Sequence, residues 1–259
     1  LPFSERTSVS DALMPSRNVG VVVNGMALGR RMSWAAGAFN DWLDTGDSFS
    51  DGANQFVGRV TGLPFISEDE GSLVHLGFGM RYTDAREGLQ FLTEPEFNKS
   101  PVFVDTGRFE ANNALTYDLE LSLRKGPFWF GSEFVRTNVD APARGNPTFG
   151  GYHLSASWIL TGEMRPYNRK SGLLGRIPIA KPTSSGGWGA WELGVRWSEI
   201  DLTDQAIDGG EMDVLSFALG WWLTPKLSLN TNYRLIELDR DGVTGRSQGF
   251  TVRAIMLLE

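Results

Sequence analysis

Residues Leu115 to Arg124 read LTYDLELSLR. Leu115, Tyr117, Leu119, Leu121 and Leu123 share one side of a two-residue period. Thr116, Asp118, Glu120, Ser122 and Arg124 share the other. Successive side chains of an extended strand point to opposite faces, so a strand sorts these ten residues completely. The stretch is therefore a strand with one apolar and one polar face, and the fold depends on what each face meets.

The same period runs along most of the chain. Val74, Leu76, Phe78, Met80 and Tyr82 oppose His75, Gly77, Gly79 and Arg81. Phe128, Phe130 and Phe134 return after a Gly126-Pro127 turn. Tyr152, Leu154, Trp158 and Leu160 oppose His153, Ser155, Ser157 and Thr161, and Trp191, Leu193, Val195 and Trp197 oppose Glu192, Gly194, Arg196 and Ser198. Further strands are expected over Asn18 to Leu28, Arg31 to Phe39, Gln55 to Leu63, and around Leu215–Trp221, Leu227–Leu235 and Phe250–Leu258. This gives about eleven strands in a meander. Lys125-Gly126-Pro127 and Thr224-Pro225-Lys226 are short connections. Asp140 to Gly150, Gly162 to Gly187 and Leu238 to Ser247 are longer and polar. Helix signals are weak, with one turn possible over Ser10 to Leu13.

Composition narrows the class. The 259 residues are 41% hydrophobic and 21% charged, and no run approaches the ~18 apolar residues of a spanning helix. Spanning strands need only about 9–11 residues of alternating character, so ordinary hydropathy leaves a membrane barrel open. There are no cysteines, which excludes thiol catalysis, disulfides and Cys-ligated metals. A net charge of -7 argues against a nucleic-acid partner.

Alternation alone suits a soluble β-sandwich as well as a membrane barrel. Three details favour an all-β transmembrane antiparallel up-and-down barrel. The polar faces carry Arg, Glu, Asp, Ser, Asn and Gly with little Lys, as a confined aqueous lumen would. Aromatics such as Trp129, Tyr152, Trp158, Trp188, Trp221 and Trp222 gather near strand ends. No strand reads as buried on both faces. Parity then gives a pore lining of Arg59, Arg81, Arg124, Arg196, Arg234 and Arg253 with Asp118, Glu120, Glu133 and Glu192. Six basic against four acidic groups favour small anionic solutes in a passive water-filled channel. His75 and His153 lack the cluster a metal site needs. Asp239-Arg240-Asp241-Gly242 fails the calcium-loop pattern. Asp118 and Glu120 share a face, but no nucleophile motif accompanies them. No cofactor and no enzyme activity are expected.

The run SWILTGEMRPYN at Ser157 to Asn168 resembles a signature of the phosphate-selective porin O and P family. Similar blocks follow in order: Gly187 to Ser198 (GWGAWELGVRWS), Leu219 to Pro225 (LGWWLTP) and Asn232-Tyr233. Upstream, Ser33 to Asn40, Phe103 to Gly107, and Gly126-Pro127 to Glu133-Phe134 also resemble family positions. The resemblance implies a homotrimeric outer-membrane porin of a Gram-negative bacterium, with sixteen strands, lipid around it and a loop folded inward. On that reading residues 1–17 end the inward loop, residues 18–259 are barrel strands and loops, and the first strands lie outside this chain. Arg6, Arg17, Arg30 and Arg31 would then lie near the constriction or a strand mouth. Phosphate is the implied solute. A general diffusion porin and a barrel-type binding or adhesion protein are the alternatives.

Overall fold

The computed structural model describes residues 1–14, 18–40, 53–85 and 87–258. A six-residue helix, α1 (Ser8–Leu13), begins behind a Thr7 cap whose side chain accepts from the Ser10 amide. Strands follow as β1 (Val19–Ala27), β2 (Met32–Asn40), β3 (Asn54–Ser67), β4 (Ser72–Asp84), β5 (Leu92–Thr93) and β6 (Val104–Asp105). Next come β7 (Asn113–Lys125), β8 (Phe128–Asp140), β9 (Thr148–Ile159), β10 (Tyr167–Asn168) and β11 (Leu173–Leu174). The chain ends with β12 (Ala190–Asp204), β13 (Ile207–Thr224), β14 (Leu227–Arg240) and β15 (Val243–Met256).

Eleven of these strands pair antiparallel in the order β1-β2-β3-β4-β7-β8-β9-β12-β13-β14-β15, while β5-β6 and β10-β11 form two small ladders. Register keeps like with like. Leu119 lies opposite Phe78 and Phe134, and Glu120 opposite Gly77 and Glu133. A one-residue slip would exchange the faces, so the alternation itself fixes the pairing.

The sheet is open. Among the described residues β1 pairs with β2 alone and β15 with β14 alone, so the first and last strands are edges. A closed wall has no edge. The transmembrane barrel expected from the sequence is therefore not formed by this chain. The water-filled channel for anionic solutes required a closed wall. The lipid partner, the homotrimer and the outer-membrane location were implied by the resemblance to a closed porin, and the open sheet of this chain does not support them.

The connections also depart from expectation. Leu238 to Ser247 is not a long loop: β14 and β15 continue through it to a two-residue turn at Asp241-Gly242, with φ 55° and 70°. Both central residues are left-handed, the geometry that matches strand twist. Tracing the meander, the long connection 160–189 leaves the same end of the sheet as the tight turns after β7 and β13. Long and short connections are therefore not segregated to opposite ends.

The two faces differ in cover. One carries α1, the connection between β4 and β7 and the connection between β9 and β12. Its core joins Val9 and Leu13 of α1 to Phe91, Val104, Phe109, Phe149, Ile200 and Val214. The other face is bare among the described residues and exposes Trp34, Phe78, Leu119, Phe134, Trp158, Trp197, Phe217 and Tyr233. Cross-strand aromatic pairs tie that face together, such as Phe128 stacked on Trp158 at 5.6 Å and Trp191 on Trp221 at 5.0 Å. Trp129 and Trp222 belong instead to the covered side. Their indole N–H groups reach Ser122 Oγ at 2.7 Å and Glu192 Oε2 at 3.2 Å.

Candidate functional site: the charged network of the covered face

Polar residues alternate with the apolar ones of the bare face, so they project beneath the covering segments. They gather into three clusters.

The first is built around Glu96, in the connection between β5 and β6. Glu96 is buried, and its φ of 53° is unusual for a residue with a side chain. Its carboxylate accepts from Arg196 Nη2, from Ser198 Oγ at 2.6 Å, from Ser216 Oγ at 3.3 Å and from the Ser8 amide at 3.2 Å. One side chain thus joins β12, β13 and the start of α1. The Arg196 guanidinium also lies 4.4 Å from the centre of the Phe3 ring and donates to the Glu5 carbonyl. Nearby, Arg234 donates to Ser4 Oγ at 3.1 Å and Thr251 Oγ1 at 3.0 Å, and Arg253 donates to the Ser4 carbonyl and Glu5. Asn232 accepts from the Ser4 amide at 3.0 Å and donates to the Pro2 carbonyl at 3.1 Å. Residues 2–13 therefore form a strap bound across β12–β15. Glycine makes room for it: a Cβ on Gly194 would lie 2.7 Å from Pro2 Cγ, and one on Gly151 2.8 Å from Val9 Cγ2.

The second cluster lies on β3, β4 and β7. Arg59 grips both oxygens of Glu120, with Nη2 at 2.6 Å from Oε2, and its Nη1 donates to the Ser171 carbonyl at 2.8 Å. His75 lies 3.4 Å from the same carboxylate and 2.6 Å from the Tyr167 hydroxyl. Burial pushes the Glu120 carboxyl upward, but the Arg59 and His75 hydrogen bonds overcome that and hold it at about 2. Asp118, two residues earlier, is pushed up to about 7 by burial and by the Glu133 and Glu120 carboxylates, against the pull of Arg59. Gly77 leaves the space that Glu120 fills, since a Cβ there would lie 2.7 Å from Glu120 Cδ.

The third cluster pins the long connection. Arg165 is bidentate to the fully buried Glu192, at 3.2 and 2.6 Å, donates to the Gly175 carbonyl at 3.1 Å and lies 5.2 Å from the Trp222 ring centre. Arg124 donates to the Gly71 and Arg165 carbonyls, at 3.1 and 2.7 Å.

Every parity-derived candidate thus lies on the covered face. Arg59 and Glu120 are brought together, and Arg196, Arg234 and Arg253 share the strap cluster. Arg124 and Glu192 belong to the third cluster. Arg81 donates to Gln55 and to the Leu13 carbonyl, and Glu133 accepts from Ser10 Oγ. Arg6 is on the strap and donates to the Ser10 carbonyl at 2.7 Å. Arg30 and Arg31 are exposed in the β1–β2 turn, away from all three clusters. Arg17 lies outside the described residues. Reading the sequence missed Glu96, Glu5, Phe3 and Arg165. Arg165 sits inside the quoted family run, but it read as the opening of a loop. Glu96 carries no local signal, because its partners are about a hundred residues away.

His75 and His153 sit in different surroundings. No group of three His, Cys, Asp or Glu side chains able to hold a metal occurs among the described residues. Asp239 to Gly242 is the end of β14 and its turn rather than a cation loop. Among the described residues no helix is long and apolar enough to cross a membrane, which says nothing of strands.

Residues 1–255 match the family described as "Phosphate-selective porin O and P". The chain is also 28% identical, over 261 residues, to an uncharacterized protein of Caulobacter vibrioides. That match covers 95% of this chain and 51% of the relative, so the chain spans about half the relative's length.

Proposed function

This chain belongs to the phosphate-selective porin O and P family, and we propose that it acts there as a non-catalytic sheet whose two edges are continued by further strands. The non-catalytic reading rests on the family, whose proteins are not enzymes. The observation that carries the reading is the pair of unpartnered edge strands. An edge strand presents a row of open N–H and C=O groups, and proteins ordinarily blunt such edges with charge, proline or cover. β1 instead exposes Val21, Val22 and Val23 in succession, and β15 exposes Val243, Phe250, Val252 and Met256. These edges are suited to accepting strands. The relative's length, about twice the matched region, supports a longer polypeptide of this family as their source.

Exposure divides the charged face by role. Arg165, Glu192, Arg196 and Arg234 are buried and brace the strap and the long connection. The side chains of Arg59, Arg253 and Glu133 keep 30%, 42% and 36% of their surface open, and Arg6 is exposed, so these groups of the face stay in reach of solvent.

Sedimentation of the isolated chain tests the edges. Association that depends on concentration is expected, and lysine at Val21 or Val252 should suppress it. Lysine at Leu119, on the same bare face but in the central strand β7, should suppress it less. Equal suppression at all three positions would show that the apolar face, not the edges, drives association.

A further inference from the structure

A cavity of about 270 Å³ opens beside the strap, between β3, β4 and β7. Met14 and Val57 form apolar walls, and Arg6, Arg59, Arg81 and Asp118 supply the charge. The volume is many times the ~30 Å³ share of one water, yet near the lower end for ligand sites, so a ligand of few heavy atoms fits it. Gly79 keeps the space beside Asp118 open, since a Cβ there would lie 3.3 Å from Asp118 Cβ.

The charged groups are not equivalent. Arg59 is spent on both oxygens of Glu120 and on the Ser171 carbonyl. Arg81 donates to Gln55 and the Leu13 carbonyl, and Arg6 to the Ser10 carbonyl. Asp118 is different: only 9% exposed, it lines the cavity, and its Oδ1 has no hydrogen-bond partner. A buried, unanswered carboxylate oxygen is costly, so its presence at a cavity points to a donor that comes from outside. The unmet hydrogen-bond demand in this cavity is therefore for a donor.

We propose that this cavity is a binding site for a small primary ammonium ligand, whose –NH3⁺ donates to Asp118 while a short alkyl tail lies against Met14 and Val57. The site is independent of how the sheet edges are completed. The groups facing Asp118 are Glu120 on β7, Glu133 on β8, Arg59 on β3, Arg81 on β4 and Arg6 on the strap. The two carboxylates add to the attraction for a cation and hold part of the Asp118 population protonated near neutral pH. Binding should therefore strengthen as the pH rises through about 7.

The test is titration of the folded chain with n-butylammonium, followed by backbone amide shifts around Gly79, Thr116 and Asp118, with butyrate and 1-butanol as matched probes. Saturable shifts at these positions are expected for butylammonium, with affinity at least tenfold above that of the other two and several-fold higher at pH 8 than at pH 6. Asp118→Asn should weaken binding at least tenfold. Val57→Phe, which keeps the carboxylate but fills the wall, should weaken it too and covers the case in which the first variant misfolds. No saturable binding would overturn the proposal. So would tighter binding of butyrate, equal binding of butanol, or full affinity in a folded Asp118→Asn variant.

Discussion

Glu96 and Arg196 form an enclosed ion pair that joins the β5–β6 connection to strand β12, with the guanidinium face turned to Phe3 of the strap. Two serines and the Ser8 amide complete the carboxylate's hydrogen bonds. Breaking a buried pair by removing one partner leaves the other charge uncompensated, which typically costs about 3–5 kcal/mol. Glu96→Ala should therefore lower unfolding stability by roughly that amount, read from denaturant midpoints, and should speed exchange of the Ser8 amide. Combining it with Arg196→Met should recover part of the loss. Strict additivity of the two changes would show that the pair is not coupled.

The carboxylates of β7 give stability a pH dependence with a definite sign. Asp118 has its folded pKa raised from 3.8 to about 7, so between those values the folded chain holds a proton that the unfolded chain has lost. Stability from this group is fully present below the unfolded value and is lost as the pH rises through the folded one. Asp118→Asn removes that loss. The variant should match the parent near pH 3 and exceed it near pH 8, by at most ~4 kcal/mol at about 1.4 kcal/mol per pKa unit. Glu120 acts in the opposite sense and in a lower window. Its stabilising pair with Arg59 is lost as the pH falls from 4.5 towards about 2, in both proteins alike. Urea midpoints from pH 3 to 8 separate the two effects.

Gly77 and Gly58 lie on neighbouring strands but differ in space. A Cβ on Gly77 meets Glu120, while one on Gly58 meets nothing within 4 Å. Gly77→Ala should cost about 1–3 kcal/mol through overpacking at the Arg59–Glu120 pair. Gly58→Ala should be neutral or slightly stabilising, because it reduces unfolded-state freedom at a position with room for a methyl group. Thermal unfolding of the two variants checks the contrast, and equal effects would refute the packing account.

Much of the sheet was legible because it is written in a local period. The alternation of Leu115 to Arg124 fixed both faces of β7, and Ser10 to Leu13 marked most of α1. What was not legible is nonlocal. Closure depends on whether β1 and β15 meet, and a two-residue period is the same in an open sheet as in a closed one. The ends of the strands were misjudged where polar residues continue a ladder, as in β14 and β15, whose polar ends read as a loop. Parity found Glu192 and Arg196 but not their partners, because Arg165 and Glu96 lie in irregular segments where no period assigns a face. Arg30 and Arg31 were placed near the constriction or a strand mouth by resemblance, and they lie exposed in the β1–β2 turn.

The central claim is that this chain is a wall with two free edges. Residue-resolved amide exchange on the isolated chain, held dilute enough to stay monomeric, tests it most directly. In an antiparallel edge strand, alternate amides point away from the single neighbour. The account predicts that the outward amides of β1 and β15 exchange orders of magnitude faster than those of the paired central strands β7, β8 and β12. Protection of every amide in both edge strands, equal to that of the centre, would mean that the edges are already paired and would contradict the open sheet.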